Sequence, residues 1–379
     1  MSIFILFILI AIAFHEFGHF ATAKTFGIRV YKFFIGFGPK LWSVHKGGTE
    51  YGVSAFPVGG YVKIAGMNPL EEIPDEDKEG TFKSKPAWQR AIVLASGSFT
   101  HFIAAFIIIA AIIAISGVAE GVTTTLDAVG SESGAATPAD RAGIKPGDKL
   151  LSIGGVPIKS WPDAQRAIKA RPGQNVAIVV ARGTRTLTLQ ATLGTCAQVE
   201  GEPVSCAAGA PGKSVGFLGV SPKPKIVHKS IPAVIGMTGK QIGVGMKESL
   251  FAFGKIFRPS TLGRLFKVAA GSEQRRPDDP ATVVGFGRAT GGLAKNRDFA
   301  QLFLWIASFN IFVGVANLLP LPPLDGGHLA VLGYEKLRRR EVDMRKLVPI
   351  TAAVLTAFGM LFFLLLYLDI VKPLPQFPG

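Results

Sequence analysis

The pattern His15-Glu16-Phe17-Gly18-His19 sits inside a run of residues that otherwise suits only lipid, and this combination limits the possible folds more than any other feature of the chain. From Met1 to Ala23 the only ionisable side chains are His15, Glu16 and His19. A charged side chain at the centre of a membrane helix costs roughly 2.5–3.5 kcal/mol on insertion scales, so such groups mark a functional interior. Residues four apart on a helix lie about 40° out of line and one turn up, so His15 and His19 can hold one metal from one face, with Glu16 beside it. Three polar side chains in an apolar span each need a partner that lipid does not supply, which weighs against a chance pattern of hydrogen-bonded helix residues. The spacing points to zinc and a general base.

Hydrophobic residues make up 48% of the 379 positions, which suits a membrane protein carrying a soluble part. Four runs reach the roughly 20 apolar residues needed to span, at 2–23, 91–117, 300–320 and 348–371. The first has no basic residue before Lys24 and holds the metal pattern, so it reads as a retained span rather than a removable signal peptide. Ten basic residues lie between Lys24 and Arg90, and Lys336, Arg338, Arg339, Arg340, Arg345 and Lys346 fill the last short loop. Both loops are therefore expected on the cytoplasmic side, with the stretch from about 118 to 298 outside. The net charge of +15 is spread over both sides and shows no basic stripe interleaved with aromatics, so no nucleic-acid partner is expected. Cys196 and Cys206 both fall in the outer stretch. A disulfide is permitted there and is the expectation, worth about 3 kcal/mol in the chain-entropy account, with two free thiols the alternative.

A catalytic zinc site needs a third protein ligand. Asn317-Leu318-Leu319-Pro320-Leu321-Pro322-Pro323-Leu324-Asp325-Gly326-Gly327-His328 puts three prolines where the third span would continue, so the backbone must unwind. Irregular backbone at membrane depth requires a protein or water interior, and Asp325 or His328 would then face it. Asn310 and Asn317, seven apart, share a helix face and suggest a polar cleft.

The motifs HEFGH, Gly36-Phe37-Gly38-Pro39 and NLLPLPPLDGG together resemble the site-2 proteases, intramembrane zinc metalloproteases, and are similar to the bacterial regulator-of-sigma-E protease type and its actinobacterial members. The resemblance implies one zinc per chain held by His15, His19 and Asp325, Glu16 as catalytic base, and Asn317 in contact with substrate. It also implies a bacterial plasma-membrane protein with its active site near the cytoplasmic side, acting on transmembrane proteins such as trimmed anti-sigma factors or remnant signal peptides, with lipid as its other partner. A catalytically silent adaptor that holds clients is the rival reading, and the sequence leaves the oligomeric state open. Where the family has Ala-Gly-Pro and, two residues on, Asn, this chain has Ser96-Gly97-Ser98-Phe99-Thr100-His101, so His101 stands out as a buried structural histidine or a partner to the site.

The expected fold is a polytopic α-helical membrane protein of about four transmembrane helices with a membrane-associated β-hairpin and one inserted extracytoplasmic PDZ-like α+β domain. Its parts are a first membrane half at 1–117, the PDZ-like domain at 118–222, an amphipathic linker at 223–298 and a second membrane half at 299–379. The β-loop is expected within about 40–66, turning at Pro57-Val58-Gly59-Gly60, where an open edge at Gly59 and Gly60 would pair with an extended substrate. Val176–Val180 and Thr186–Thr192 alternate as strands, and Trp161–Ala170 has helical spacing. Gly216-Phe217-Leu218-Gly219 resembles a PDZ carboxylate-binding loop, the alternative being a domain that only filters substrates by size. Residues 239–270 read as one or two amphipathic helices lying on the outer surface, and 271–280 as a polar loop.

Overall fold

The computed structural model describes residues 2–67, 72–130, 136–198, 206, 212–276, 279–282, 284–288, 299–340, 342 and 344–374. The chain forms two units, Met1–Ile113 with Ser230–Phe377, and Ala114–Lys229.

In the first unit, four helices are long and apolar enough to cross a membrane. They are α1 (Ser2–Thr25), α2 (Ala87–Ser116), α7 (Phe299–Asn317) and α9 (Val348–Val371). Their large side chains face outward in quantity, with Ile115 78% and Met360 69% exposed, as lipid-facing helices require. Helix α2 starts four residues before the expected 91, because Trp88 and Arg90 lower the hydropathy of a turn whose N–H groups of Gln89 and Arg90 already bond to Pro86 O. Helix α7 stops at Asn317, short of the expected 320, since Pro320, Pro322 and Pro323 have no N–H to continue it. Helices α1 and α2 cross where Gly18 meets the Ser96 carbonyl and Thr22 Oγ1 bonds Ser96 Oγ at 3.0 Å, the small-residue contact that lets membrane helices approach closely.

Strands β1 (Val30–Lys46) and β2 (Thr49–Ile64) form one long hairpin. Its turn is Gly47-Gly48, at φ 55° and 73°, the positive pair that a tight hairpin turn favours. The turn expected at Pro57–Gly60 is therefore displaced: those residues lie inside β2. The ribbon folds over, so that Phe34 lies opposite both Gly52 and Tyr61. At its root, Val30 and Ile64 join Ala23 of α1, Val93 and Leu94 of α2 and Leu332 in one buried cluster, which fixes the hairpin against the helices. Leu332 belongs to α8 (Asp325–Arg338).

The linker forms α5 (Ile231–Ile256) and α6 (Pro259–Ala270). Helix α5 packs along α7: Gly245 backs onto Ile311, and the Phe253 ring lies 5.8 Å from Phe312 and 6.3 Å from Phe358. Helix α6 buries Leu265 and Val268 against Leu365 and Leu368 of α9. Beyond it, Arg275 and Asp369 form an ion pair at 2.7 Å that is 2% and 0% exposed, and Thr282 N–H and Oγ1–H both donate to the same carboxylate at 2.6 Å. Residues 289–298, the end of the expected linker, lie outside the described residues.

The second unit is a sheet ordered β10-β3-β4-β6-β7, with β5 on β4. Its strands are β3 (Val118–Val129), β4 (Lys149–Ile153), β5 (Val156–Pro157), β6 (Asn175–Arg182), β7 (Arg185–Thr192) and β10 (Val220–Val227). A separate ladder joins β8 (Gly194–Gln198) to β9 (Lys213–Phe217), and two helices, α3 (Pro138–Arg141) and α4 (Trp161–Lys169), complete the unit. The expected boundary at 222 moves outward because β10 pairs with β3 as far as Val227↔Val118. Leu126, Leu150, Ile153, Ile178 and Leu218 lie in its core, and Cys196 and Cys206 are bridged as expected.

Asp148 is fully buried and accepts from Arg182 Nε at 2.7 Å and from Lys145 N–H at 2.9 Å. The Arg182 guanidinium holds the Asp148 carboxyl below the usual carboxylate range. A carboxyl with a lower pKa folded than unfolded stabilises the fold above its unfolded value near 4, and the gain fades as pH falls through the folded value. Because Arg182 is a third exposed, Asp148→Asn should destabilise this unit by a moderate amount, about 1–3 kcal/mol at neutral pH. The difference from the unmodified protein should shrink below about pH 4. Hydrogen exchange of residues 118–227 in the detergent-solubilised protein measures both.

Candidate metal centre

His15 and His19 lie one turn apart on α1, and their Nε2 atoms approach to 3.2 Å. Asp325, the first residue of α8, brings Oδ2 to 3.3 Å from each. Among the described residues these three side chains form the group able to share an ion. A tetrahedral zinc with bonds of about 2.0–2.1 Å has ligand-to-ligand edges of about 3.3 Å, so the triangle matches three corners of such a site.

The hydrogen bonds support the same conclusion. His19 Nδ1–H donates to the Val93 carbonyl at 2.7 Å, which leaves Nε2 as a bare lone pair aimed at the other two atoms. Asp325 Oδ2, which faces both imidazoles, is buried without a hydrogen-bond partner among the described residues. Electron-rich atoms packed together away from water need a cation, and two imidazoles with one carboxylate suit zinc.

Local sequence explains how the three meet. Gly97 of α2 forms the floor: a Cβ there would come within 2.8 Å of His15 Nε2 and closer still to His19 Nε2. After α7 ends, the chain turns through Leu321 N–H to Leu319 O and Leu324 N–H to Leu321 O, then enters α8. Gly326 and Gly327 press against the backbone of Leu318, Leu319, Leu321 and Pro322, where any side chain would collide. This tight return carries Asp325 back to α1. Its place in the first turn of α8 also sets a carboxylate at the positive end of the helix dipole.

Glu16 stands next to the triangle and outside it. Gly60 lies against its side chain, where a Cβ would sit 3.2 Å from Cγ. The expected β-loop glycines thus divide in role: Gly60 borders Glu16, while Gly59, at φ 111°, backs onto the Phe37 ring.

The remaining expected residues fall in different places. Asn310 is 5% exposed; its amide donates to Ile306 O at 2.9 Å, so its carbonyl accepts the His101 Nδ1–H at 3.0 Å. That fixes the His101 tautomer with Nε2 as an acceptor, and its ring lies 5.2 Å from the His15 ring. Asn310 is committed to His101 and to its own helix. Asn317 closes α7, half-buried, just before the turn. His328 lies away from the triangle and lines a separate cavity with Phe82 and Arg90. Gly216–Gly219 is packed within the second unit: a Cβ on Gly216 would collide with Ile168 O, and the carbonyls of Leu218 and Gly219 accept the N–H groups of Ala139 and Gly130.

One group essential to the geometry carried no signal in the residue types, the carbonyl of Val93, because main-chain groups are anonymous in a sequence. Gly97 had a weak one, a glycine between two serines in an apolar helix.

The family model described as peptidase family M50 matches residues 3–366. The chain is 32% identical to the zinc metalloprotease Rip1 of Mycobacterium tuberculosis over 99% of its own length and 98% of the relative's. It is 31% identical to Rip1 of Mycolicibacterium smegmatis with the same coverage. To the metalloprotease MmpA of Caulobacter vibrioides it is 29% identical over 90% of this chain and 87% of the other.

Gly97→Ala should weaken metal binding roughly 10–100-fold, the range for disturbing what orients a ligand. Alanine is the better helix former by about 1 kcal/mol, so the helix itself gains and the loss reports the site alone. Zinc content of the purified variant after dialysis against a weak chelator gives the result.

Proposed function

The chain belongs to peptidase family M50 and is a zinc metalloprotease, and from that premise we propose that it cleaves single-span membrane proteins within or beside the bilayer. The observation that carries the reading is the meeting of His15, His19 and Asp325 from two broken-polarity helices, with Glu16 alongside. Held by those three side chains, zinc supplies the Lewis acidity that makes a water nucleophilic near neutral pH and polarises a carbonyl.

The chain's own residues do the rest. Glu16 accepts the proton of the attacking water and returns it to the leaving amine nitrogen. Gly60 leaves room beside the carboxylate. His19 is locked by Val93 O, so its ring does not compete for that proton. A helical substrate shields its carbonyls in its own hydrogen bonds and must first extend. The end of β2 passes alongside Glu16, which supports strand addition by the unwound segment, with the glycine pair giving a smooth approach. Asn317, at the break between α7 and the turn, is the side chain we assign to hold the opened backbone.

We read the second unit as a PDZ-like domain outside the membrane and the short basic loops as cytoplasmic, which makes this a multi-pass protein of a bacterial plasma membrane. The carbonyls of Leu218 and Gly219 are taken by Ala139 and Gly130, whereas a C-terminal carboxylate is received by amides, so the loop is compatible with capture as well as with a size filter. Trimmed anti-sigma factors and remnant signal peptides are the substrates we assign. An adaptor without catalysis would have no use for a carboxylate held beside the ligand triangle.

Glu16→Gln should keep zinc and lower cleavage of a tagged transmembrane substrate by about 10²–10⁴-fold, since the amide is nearly isosteric and accepts no proton. Near-normal cleavage at matched expression would contradict the assignment. Asp325→Ala should lose most of the zinc while His328→Ala retains it, as metal analysis of the two purified variants would register.

A further inference from the structure

A cavity of about 350 Å³ opens between the start of α2, the second half of α8 and the segment around Phe82, apart from the metal centre. Lys83, Arg90, Lys336, Arg339 and Arg340 line it, against the single carboxylate of Glu335 among the described residues. That carboxylate is already committed: Oε1 accepts the Val342 N–H at 3.1 Å, and Oε2 lies 3.7 Å from Arg90 Nη2. Arg90 Nε is buried with no hydrogen-bond partner, and its guanidinium lies over the Phe82 ring at 5.8 Å. None of Lys83, Lys336, Arg339 and Arg340 has a carboxylate within ion-pair distance among the described residues; Glu341 and Asp343 lie outside them.

The depth of the cavity restricts what can fill it. Arg90 is in the first turn of α2, two residues after Trp88, which is 57% exposed and meets Phe26 edge-on just beyond the end of α1. An exposed tryptophan at the ends of two spans marks the headgroup level. The floor of the cavity is apolar, formed by Phe82, Leu94 and Leu332 beneath the basic rim. A fully hydrated anion would gain nothing from that floor, whereas a phosphodiester followed by glycerol and methylenes matches both layers. Its size falls at the small end of ligand pockets.

We propose that this cavity binds the headgroup phosphate of one anionic phospholipid. The proposal is independent of the protease chemistry, because none of the lining residues is a metal ligand or Glu16.

The test uses the full-length protein in detergent, titrated with phosphatidylglycerol, phosphatidylcholine or inorganic phosphate and read by native mass spectrometry. One phosphatidylglycerol should bind in preference to phosphatidylcholine. The double variant Lys336→Ala with Arg340→Ala should weaken it about tenfold or more, while Arg338→Ala with Arg345→Ala, equal in charge and outside the cavity, should change it by less than about twofold. Equal retention of both lipids, equal weakening by both variants, or no effect of the first would overturn the proposal. Inorganic phosphate binding as tightly as phosphatidylglycerol would overturn the lipid assignment in favour of a soluble phosphate.

Discussion

Three lone pairs meeting at 3.2–3.3 Å inside a bundle of apolar helices repel one another unless a cation lies between them, and much of the first unit is arranged around that demand. Lipid offers neither water nor counter-charge, so the protein must supply every partner for the site's polar atoms. It does so with main chain where it can. The Val93 carbonyl fixes His19, and the dipole of α8 faces Asp325. Main-chain groups cannot change rotamer, so the site is rigid without a crowd of further polar side chains.

Close approach is the second requirement, and glycine meets it at the contacts where backbone must touch backbone or ring. Gly97 lets α2 lie flat under the two imidazoles, and Gly326 with Gly327 lets the entry of α8 fold tightly against the proline turn. Val93, Gly97 and His101 are spaced by four on α2, so one face of that helix supplies the carbonyl, the floor and the histidine that holds Asn310. The same helix places Arg90 one turn before that face, in the basic cavity. A single rigid rod therefore connects the headgroup level with the metal centre, and α8 makes the same connection from the other side.

The hairpin is anchored beside the base. Its root is buried among α1, α2 and α8, so the end of β2 cannot drift from Glu16 without opening the core around Ile28, Val30 and Ile64.

The residues of α1 announced a metal-binding pair and a base, because charge is so costly in an apolar run that its presence alone carries meaning, whereas Asp325 rather than His328 came from the family resemblance. The four spans, the break after Asn317, the strands of the second unit and the bridge between Cys196 and Cys206 were legible for similar reasons: apolar length, absent N–H groups, alternation and shared location. Tertiary structure decided what depends on neighbours. It moved the hairpin turn to Gly47-Gly48, because pairing with the folded-over first half of β1 keeps Gly59 and Gly60 within a strand. It drew α5 along α7, since a helix with apolar residues on several faces gains from packing on another helix. It gave Asn310 to His101, a partner that the sequence could not name. A sequence fixes which groups must find partners; only the folded chain chooses among them, because the choice rests on distances between residues far apart in order.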